Sequence, residues 1–454
     1  MSAMRLRRFG TFAGGIVLPD SKDATLGAPI VPIGPLTRLR VPLAPTEAEP
    51  ARPLVEPGQA VSHGQRIAQA SDARQVDVFA PLAGRVAGIG ECLLPGPEGT
   101  WRSSPAIELV ELDSVGRIEE LSCHYTWQSA DEYSIRLRIA EGGVCTCRPP
   151  VSALGGWIER ALAASVETLI ADITENTPFV TADHRLLAER GSEVIRGLAI
   201  LARAVGARNV MLAVDHRRTG AYRAAVGPAR LYGIEPIALP HKYPIGAEAM
   251  IVKVLTRREI PPGGTAMDVG VAVTDAATCW LTYRWVACGE PPTARVVTLS
   301  GPALHRPGNY LVPFGAEIEE LLALAGLDAQ AWGVCGPAMS GQLATAGAVT
   351  GPGGNAVLGL HPQQAGPPTQ CIRCGWCSEN CPARLNVAAL NDDFELNRPT
   401  QAARRGVLAC VGCGICSYLC PARLPLSRRV ALLKRAIRQG QSRSRDARDA
   451  AQKH

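Results

Sequence analysis

Cys371-Ile372-Arg373-Cys374-Gly375-Trp376-Cys377-Ser378-Glu379-Asn380-Cys381-Pro382 and Cys410-Val411-Gly412-Cys413-Gly414-Ile415-Cys416-Ser417-Tyr418-Leu419-Cys420-Pro421 share one spacing, C-x2-C-x2-C-x3-C-P. Eight of the chain's 15 cysteines fall in these two runs, so cysteine usage is concentrated where chemistry needs thiolates. Three thiolates at two-residue intervals wrap a tight loop around one corner of an iron–sulfur cubane and leave one iron for a ligand from elsewhere. The prolines after Cys381 and Cys420 end each loop with a fixed φ and no backbone donor. Gly375 and Gly414 let the backbone approach sulfide closely. Zinc sites use four ligands as two separated pairs, so a duplicated run of this kind fits zinc poorly. A disulfide framework belongs to small oxidised domains, not to a long chain able to build its own core.

The spacing is similar to that of bacterial two-cluster ferredoxins, in which the fourth cysteine of each run ligates the other cluster. That similarity implies one [4Fe–4S] cluster on Cys371, Cys374, Cys377 and Cys420, and a second on Cys410, Cys413, Cys416 and Cys381. Residues 385–406, between the runs, have the length and charge of a helical connector. The other seven cysteines, Cys92, Cys123, Cys145, Cys147, Cys279, Cys288 and Cys335, are scattered and read mostly as small buried hydrophobes. Cys145-Thr146-Cys147 is too short for a familiar cluster loop.

Outward from the runs, the 454 residues allow several domains. With 46% apolar and 19% charged residues the composition is globular, not disordered. The net charge of +6 is mild and no long basic block occurs, which argues against nucleic acid. The most apolar stretch, 194–214, is broken by Arg196, Arg203 and Arg208, and no clean run long enough to span a bilayer is present. Residues 1–10 lack the apolar core of a signal peptide. The expectation is a cytoplasmic protein that meets a membrane only from the side.

Residues 55–67 and 78–86 alternate apolar positions with Gly turns, a pattern that looks like the barrel-sandwich fold of biotinyl and lipoyl carriers. Those carriers need a lysine at a hairpin tip, and none occurs between Lys22 and Lys242, so the module has no swinging arm. Residues 130–285 alternate helix and strand patterns, with strands expected at 166–173 and 209–214 and a helix at 184–206. Strands at 295–299 and 310–313 and a helix at 317–324 read as a small β-grasp module. The Gly- and Pro-rich stretch 348–368 reads as a linker. The tail places Arg428, Arg429, Lys434, Arg435 and Arg438 around Val430, Leu432, Leu433 and Ile437, a solvated or docked helix or, failing that, a contact with anionic lipid. The last dozen residues read as mobile.

Taken in order, these motifs resemble the RnfC subunit of the Rnf/Rsx electron-transport complex. The resemblance runs through Phe12-Ala-Gly14-Gly15-Ile16-Val17-Leu18-Pro19-Asp20-Ser-Lys22, Pro53-Leu54-Val55 and Ala80-Pro81-Leu-Ala-Gly84. It continues through Thr181-Ala182-Asp183-His184-Arg185, Leu239-Pro240-His-Lys242-Tyr243-Pro244-Ile-Gly246-Ala-Glu248 and Arg258-Glu259-Ile260-Pro261-Pro262-Gly263-Gly264, and closes with both cysteine runs. It covers nearly the whole chain. It implies a multidomain α/β and β architecture: a barrel-sandwich domain (1–125), an α/β domain like the flavin subunit of respiratory complex I (126–290) and an SLBB-like β-grasp module (291–347). A linker (348–368), an α-helical ferredoxin domain with two [4Fe–4S] clusters (369–425) and a basic tail (426–454) follow. It also implies an oxidoreductase complex of the NADH:ferredoxin type coupled to ion translocation. The partners would be its membrane subunits and a ferredoxin or flavoprotein, and the location peripheral on the inner face of the membrane.

The chain departs from that family where FMN and NADH should bind. The family's G-G-A-G-F-P-T-x-x-K loop cradles the flavin phosphate with backbone amides. Here the stretch reads Glu141-Gly142-Gly143-Val144-Cys145-Thr146-Cys147-Arg148-Pro149-Pro150, which keeps only Gly142 and Gly143. The family's E-C-E-P is Glu175-Asn176-Thr177-Pro178, which keeps the first Glu. Tyr243, Gly246 and Glu248 are retained from the flavin/NADH cleft, or as a turn kept for folding. The expectation is that flavin and NADH binding are weakened or lost and no catalytic residue is present, while the clusters remain. The competing readings are a flavin-dependent NADH dehydrogenase or cobalamin reductase-like enzyme, and an Rnf-derived adaptor without NADH activity.

Overall fold

The computed structural model describes residues 10–96, 99–362 and 366–452, with side chains described to residue 440. Residues 1–9 of the expected first domain, 363–365 of the expected linker and 453–454 of the tail lie outside the described residues. The chain forms two compact units. The larger comprises Pro19–His241 and Gly270–Pro362, the smaller Met1–Leu18, Lys242–Val269 and Gln363–His454.

In the larger unit, Leu39–Pro42, Trp101–Val110, Gly84–Pro95 and Ala60–Val61 form an antiparallel sheet. Arg52–Pro53, Arg66–Gln69 and Val78–Phe79 form a second. Leu39, Ile67, Ile107 and Leu109 are fully buried between them, because alternation sends every second side chain to the shared core. This is the barrel-sandwich expected from the Gly-punctuated alternation.

A parallel sheet follows, in the order Glu235–Leu239, Asn209–Asp215, Thr168–Ile173 and Val271–Thr274. Every residue of Thr168–Ile173 is buried, as a parallel strand covered on both faces requires. The helix Ala182–Val205 ends on Gly206, whose φ of 73° makes the left-handed cap. A Cβ at Gly197 would stand 1.8 Å from the Cys279 carbonyl oxygen, so only glycine lets this helix touch the Ala276–Cys288 helix.

The third sheet corrects two boundaries. It runs Ile30–Pro32, Gly308–Pro313, Ala294–Ser300, Ala356–Leu360, Trp332–Cys335 and Gln342–Leu343. Ala356–Leu360 lies inside it, pairing with both Thr298–Ser300 and Trp332–Cys335, although 348–368 reads as a linker. Gly and Pro on either side mask five apolar residues that the sheet buries. Ile30–Pro32 pairs in parallel with Asn309–Leu311, so the segment counted with the first domain completes this sheet. The cores of the barrel-sandwich and of this sheet merge, with Leu39, Ile107, Val297, Leu299 and Leu321 in one cluster.

Five scattered cysteines, Cys92, Cys145, Cys147, Cys279 and Cys335, are buried and free, as expected of small hydrophobes. Cys123 and Cys288 are joined in a disulfide, a long-range pairing that spacing does not reveal.

The smaller unit gathers its core from Cys377, Leu385, Val387, Leu390, Ala402, Val407, Ala422, Leu424, Leu426, Val430 and Leu433. The connector between the runs is helical in two pieces, Val387–Glu395 and Pro399–Arg404. Asn386 caps the first by accepting from Ala389 N–H. The tail is one helix from Leu426 to Gln452, so its final residues extend the helix where mobility is expected from sequence.

Candidate metal centre

The two cysteine runs repeat in three dimensions as they do in sequence. Gly375 and Gly414, at φ 85° and 79°, open the short helices Trp376–Glu379 and Ile415–Tyr418. Arg373 and Gly412 take positive φ at matching places, as do Arg384 and Arg423. After the last cysteine of each run the chain turns the same way, with Arg384 N–H donating to the Cys381 carbonyl and Arg423 N–H to the Cys420 carbonyl, both at 3.0 Å. Ser378 and Ser417 hydroxyls then accept from Val387 N–H and Ser427 N–H, tying each loop to the next helix.

Cys371, Cys374 and Cys377 line one small cavity together with Cys420 of the other run. Pro421, Ala422, Leu424 and Leu426 close its apolar side. The complementary set is also together. Burial pushes the Cys416 thiol up, with the neighbouring thiols of Cys410, Cys413 and Cys381 adding to the shift. Burial likewise pushes Cys413 up to about 12, with Cys410 and Cys381 again beside it. Thiols held this high bind metal only as they lose their protons, which the metal itself drives. Among the described residues no group of three or more His, Cys, Asp or Glu converges at single-ion spacing. A cubane does not ask for that, since each thiolate meets a different iron. The donor set therefore fits two cubanes.

Segments distant in sequence hold these loops. Tyr243 donates its hydroxyl to the Cys413 carbonyl at 2.6 Å, and Lys434 Nζ donates to the Cys410 carbonyl at 2.7 Å. Gly15 N–H donates to the Asn380 carbonyl, and Ile16 pairs with Tyr243 in both directions. A Cβ on Gly14 would come within 2.7 Å of the Asn380 and Cys381 backbones, so this glycine is needed for the close approach. The Phe12–Ile16 signature and the Tyr243 turn thus serve the cysteine loops. Gly246 sits in the same turn, and Glu248 accepts from Ala266 N–H at 2.8 Å, at the start of the Glu248–Thr256 helix. The glycine pair and the Tyr-Pro dipeptide signal a constrained backbone in the sequence, but not the contact itself.

Gly142, Gly143 and Glu175 belong to the larger unit. A Cβ on Gly142 would fall 2.1 Å from the Trp285 ring nitrogen, and one on Gly143 2.4 Å from the Asp77 carbonyl oxygen. An indole and an acceptor oxygen therefore occupy the space that a phosphate cradle must leave open, and the glycine pair does not fit a flavin phosphate. Arg148 pairs with Asp172 at 2.8 Å. Glu175 is turned inward: its carboxylate accepts from Asp183 N–H and His184 N–H at 2.9 and 2.8 Å, capping the first turn of Ala182–Val205. Lys22, 2% exposed, donates to the Glu175 carbonyl. His184 is buried beside Arg218, Arg185 and Lys22, and burial first, then these cations, lower its pKa to about 4. With the unfolded value near 6.5, the unfolded chain binds the extra proton between pH 4 and 6.5, so stability falls as pH falls through that window. The melting temperature of His184→Gln is expected to lose that slope, the wild-type change amounting to a few kcal/mol.

Two family models match the chain: the RnfC barrel sandwich hybrid domain over residues 10–111 and the Nuo51 FMN-binding domain over residues 157–284. The RnfC-type subunit of the ion-translocating oxidoreductase complex of Pseudomonas aeruginosa is 31% identical over 398 residues, covering 85% of this chain and 51% of that protein. The chain belongs to the RnfC family. The counterpart in the proton-translocating ferredoxin:NAD(+) oxidoreductase complex of Clostridium ljungdahlii is 28% identical over 388 residues, 84% of each chain. The chain spans about half the length of the Pseudomonas and Klebsiella pneumoniae relatives, each 51% covered. Among solved structures, an NAD+-reducing [NiFe]-hydrogenase in the air-oxidized state aligns at a TM-score of 0.47 and 15% identity, over 68% of this chain and 61% of that one. The FMN-domain match begins at residue 157, after the Gly142-Gly143 pair whose packing excludes a phosphate. Among the described residues no helix is long and apolar enough to cross a membrane.

Proposed function

We propose that the chain is the electron-transferring RnfC subunit of an Rnf-type, ion-translocating oxidoreductase complex, and that it carries two [4Fe–4S] clusters. Cys371, Cys374, Cys377 and Cys420 hold one, and Cys410, Cys413, Cys416 and Cys381 hold the other. The observation that carries this reading is the cavity in which three thiols of the first run meet Cys420 of the second. Such clusters supply one-electron transfer, with potentials tuned by burial and by hydrogen bonds around sulfur. The chain's own contribution is to fix the loops through Tyr243, Lys434 and the Gly14-Gly15 turn.

Electrons pass between the chain and the other subunits of the complex and a ferredoxin or flavoprotein, and the chain lies peripherally on the inner face of the membrane. The six-stranded sheet takes the place of the β-grasp module, and residues 369–425 that of the ferredoxin domain. FMN and NADH are not bound at the Gly142-Gly143 stretch, and catalysis of NADH oxidation by this chain alone is absent. Anaerobic purification with iron, sulfide and flavin quantification tests both halves of the proposal. The expected outcome is about eight irons per chain, as two cubanes require, with no stoichiometric flavin. Flavin near one equivalent, bleached by NADH, would establish the dehydrogenase reading that the FMN-domain match favours. Clusters that dithionite cannot reduce reversibly, followed by electron paramagnetic resonance, would establish an adaptor.

A further inference from the structure

The two cysteine runs have the same spacing and opposite exposure. In the first, Ile372, Arg373, Cys374, Gly375 and Trp376 are all exposed, Ile372 at 65% and Trp376 at 52%. At the matching positions of the second, Val411 and Cys413 are half-buried and Gly414 and Ile415 are buried, while Gly412 stays exposed. Tyr243 covers the Cys413 backbone, whereas Cys374 is the only exposed cysteine among the eight. Large apolar side chains exposed inside a cluster loop mark a surface that something else covers.

Charge around this end is basic. From residue 369 to 438 the chain carries eleven Lys and Arg against four Asp and Glu. Three of those carboxylates are paired, Asp392 with Arg373, Asp393 with Arg405 and Glu395 with Arg429. Beside the first run lies an open recess of about 540 Å³, walled by Arg373, Arg384, Glu379 and Asn386 among others. Glu379, the one carboxylate among its lining residues, shares the recess with two guanidinium groups.

We infer that the Ile372–Trp376 loop is the docking face for a separate, small, acidic electron-carrier protein. Ile372 and Trp376 form the apolar centre of contact and Arg373 and Arg384 its basic rim. This rests on the proposed cluster reading and gives it a direction: the Cys374 end is the terminal for exchange with a diffusing carrier, and the Cys413 end lies under Tyr243. One electron leaves the reduced carrier and one enters the chain, with no proton or group transferred. Apolar centre plus charged rim is the composition of transient redox contacts, with charge setting the association rate.

The test uses the full chain, purified without oxygen, with an oxidised acidic bacterial ferredoxin as the probe in isothermal titration. Binding is expected at low salt and is expected to weaken steeply as salt rises, because an acidic partner meets a basic rim. Ile372→Asp with Trp376→Asp should weaken it at least tenfold, and Arg384→Glu should reduce its salt dependence. Both variants should keep about eight irons and the wild-type paramagnetic spectrum after dithionite, because the altered side chains lie outside the buried core of the cluster unit. No binding by iron-replete wild-type protein, or equal binding by the double variant, would overturn the docking face alone. Protein without iron would instead overturn the cluster reading beneath it.

Discussion

Cys420→Ala is expected to abolish the cluster of the first run while leaving that of its own run in place. Iron should fall from about eight atoms per chain to about four. The remaining paramagnetic signal should be the one that Cys413→Ala removes. The prediction follows from the cavity in which Cys420 stands with Cys371, Cys374 and Cys377, and from the thiol neighbourhood of Cys416, which includes Cys381. Pairs of substitutions make it sharper. Cys374→Ala with Cys420→Ala should lose no more iron than either alone, since both empty one site. Cys374→Ala with Cys381→Ala should lose nearly all of it, although both residues belong to one run. The opposite pattern, with Cys374 and Cys381 behaving as one site, would mean that each run keeps its own four ligands.

Lys22→Met is expected to be the most destabilising exchange in the larger unit. Lys22 is 2% exposed and sits against Glu175, with Asp20 and Asp215 also acting on it. Burial opposes its charge and lowers its pKa to about 8, while Glu175 pulls the other way, so the ammonium is still charged at neutral pH. Burial raises the Glu175 pKa and Lys22 opposes that rise. Removing the cation leaves a buried carboxylate without its compensating charge, a change that costs about 3–5 kcal/mol. It should appear as a lower denaturant midpoint at an unchanged slope. Adding Glu175→Gln should recover most of the loss, because the neutral amide can still accept from Asp183 and His184 N–H. If Lys22→Met were neutral on its own, the pair would contribute nothing to the fold.

What can be read from the residues alone follows the range of the interactions. Ligand spacing, the turn glycines Gly375 and Gly414, and the burial of Thr168–Ile173 are local properties, legible within a dozen residues. The entry of Ile30–Pro32 and Ala356–Leu360 into one sheet is not local, and neither is the Cys123–Cys288 bond. Strand partners are chosen by shared apolar surface, and several short apolar runs in this chain offer similar surface. The packing of Gly142 under Trp285 also lies beyond local reading: the missing F-P-T element argues against a flavin cradle, but what fills the space comes from residue 285. For the cysteine loops, the eight thiols are evident in sequence, whereas Tyr243 can be read either as a cleft residue or as part of a turn. It bonds the Cys413 backbone.

The smaller unit is assembled from Met1–Leu18, Lys242–Val269 and Gln363–His454. A ribosome delivers its first segment early and must then make residues 19–241 and 270–362 before the cysteine loops emerge. The Gly14-Gly15 turn and Tyr243 therefore wait without their partners through most of synthesis. Iron delivery is consequently a late event in the life of each new molecule, and a nascent chain stalled before residue 420 holds only part of the thiolate cage.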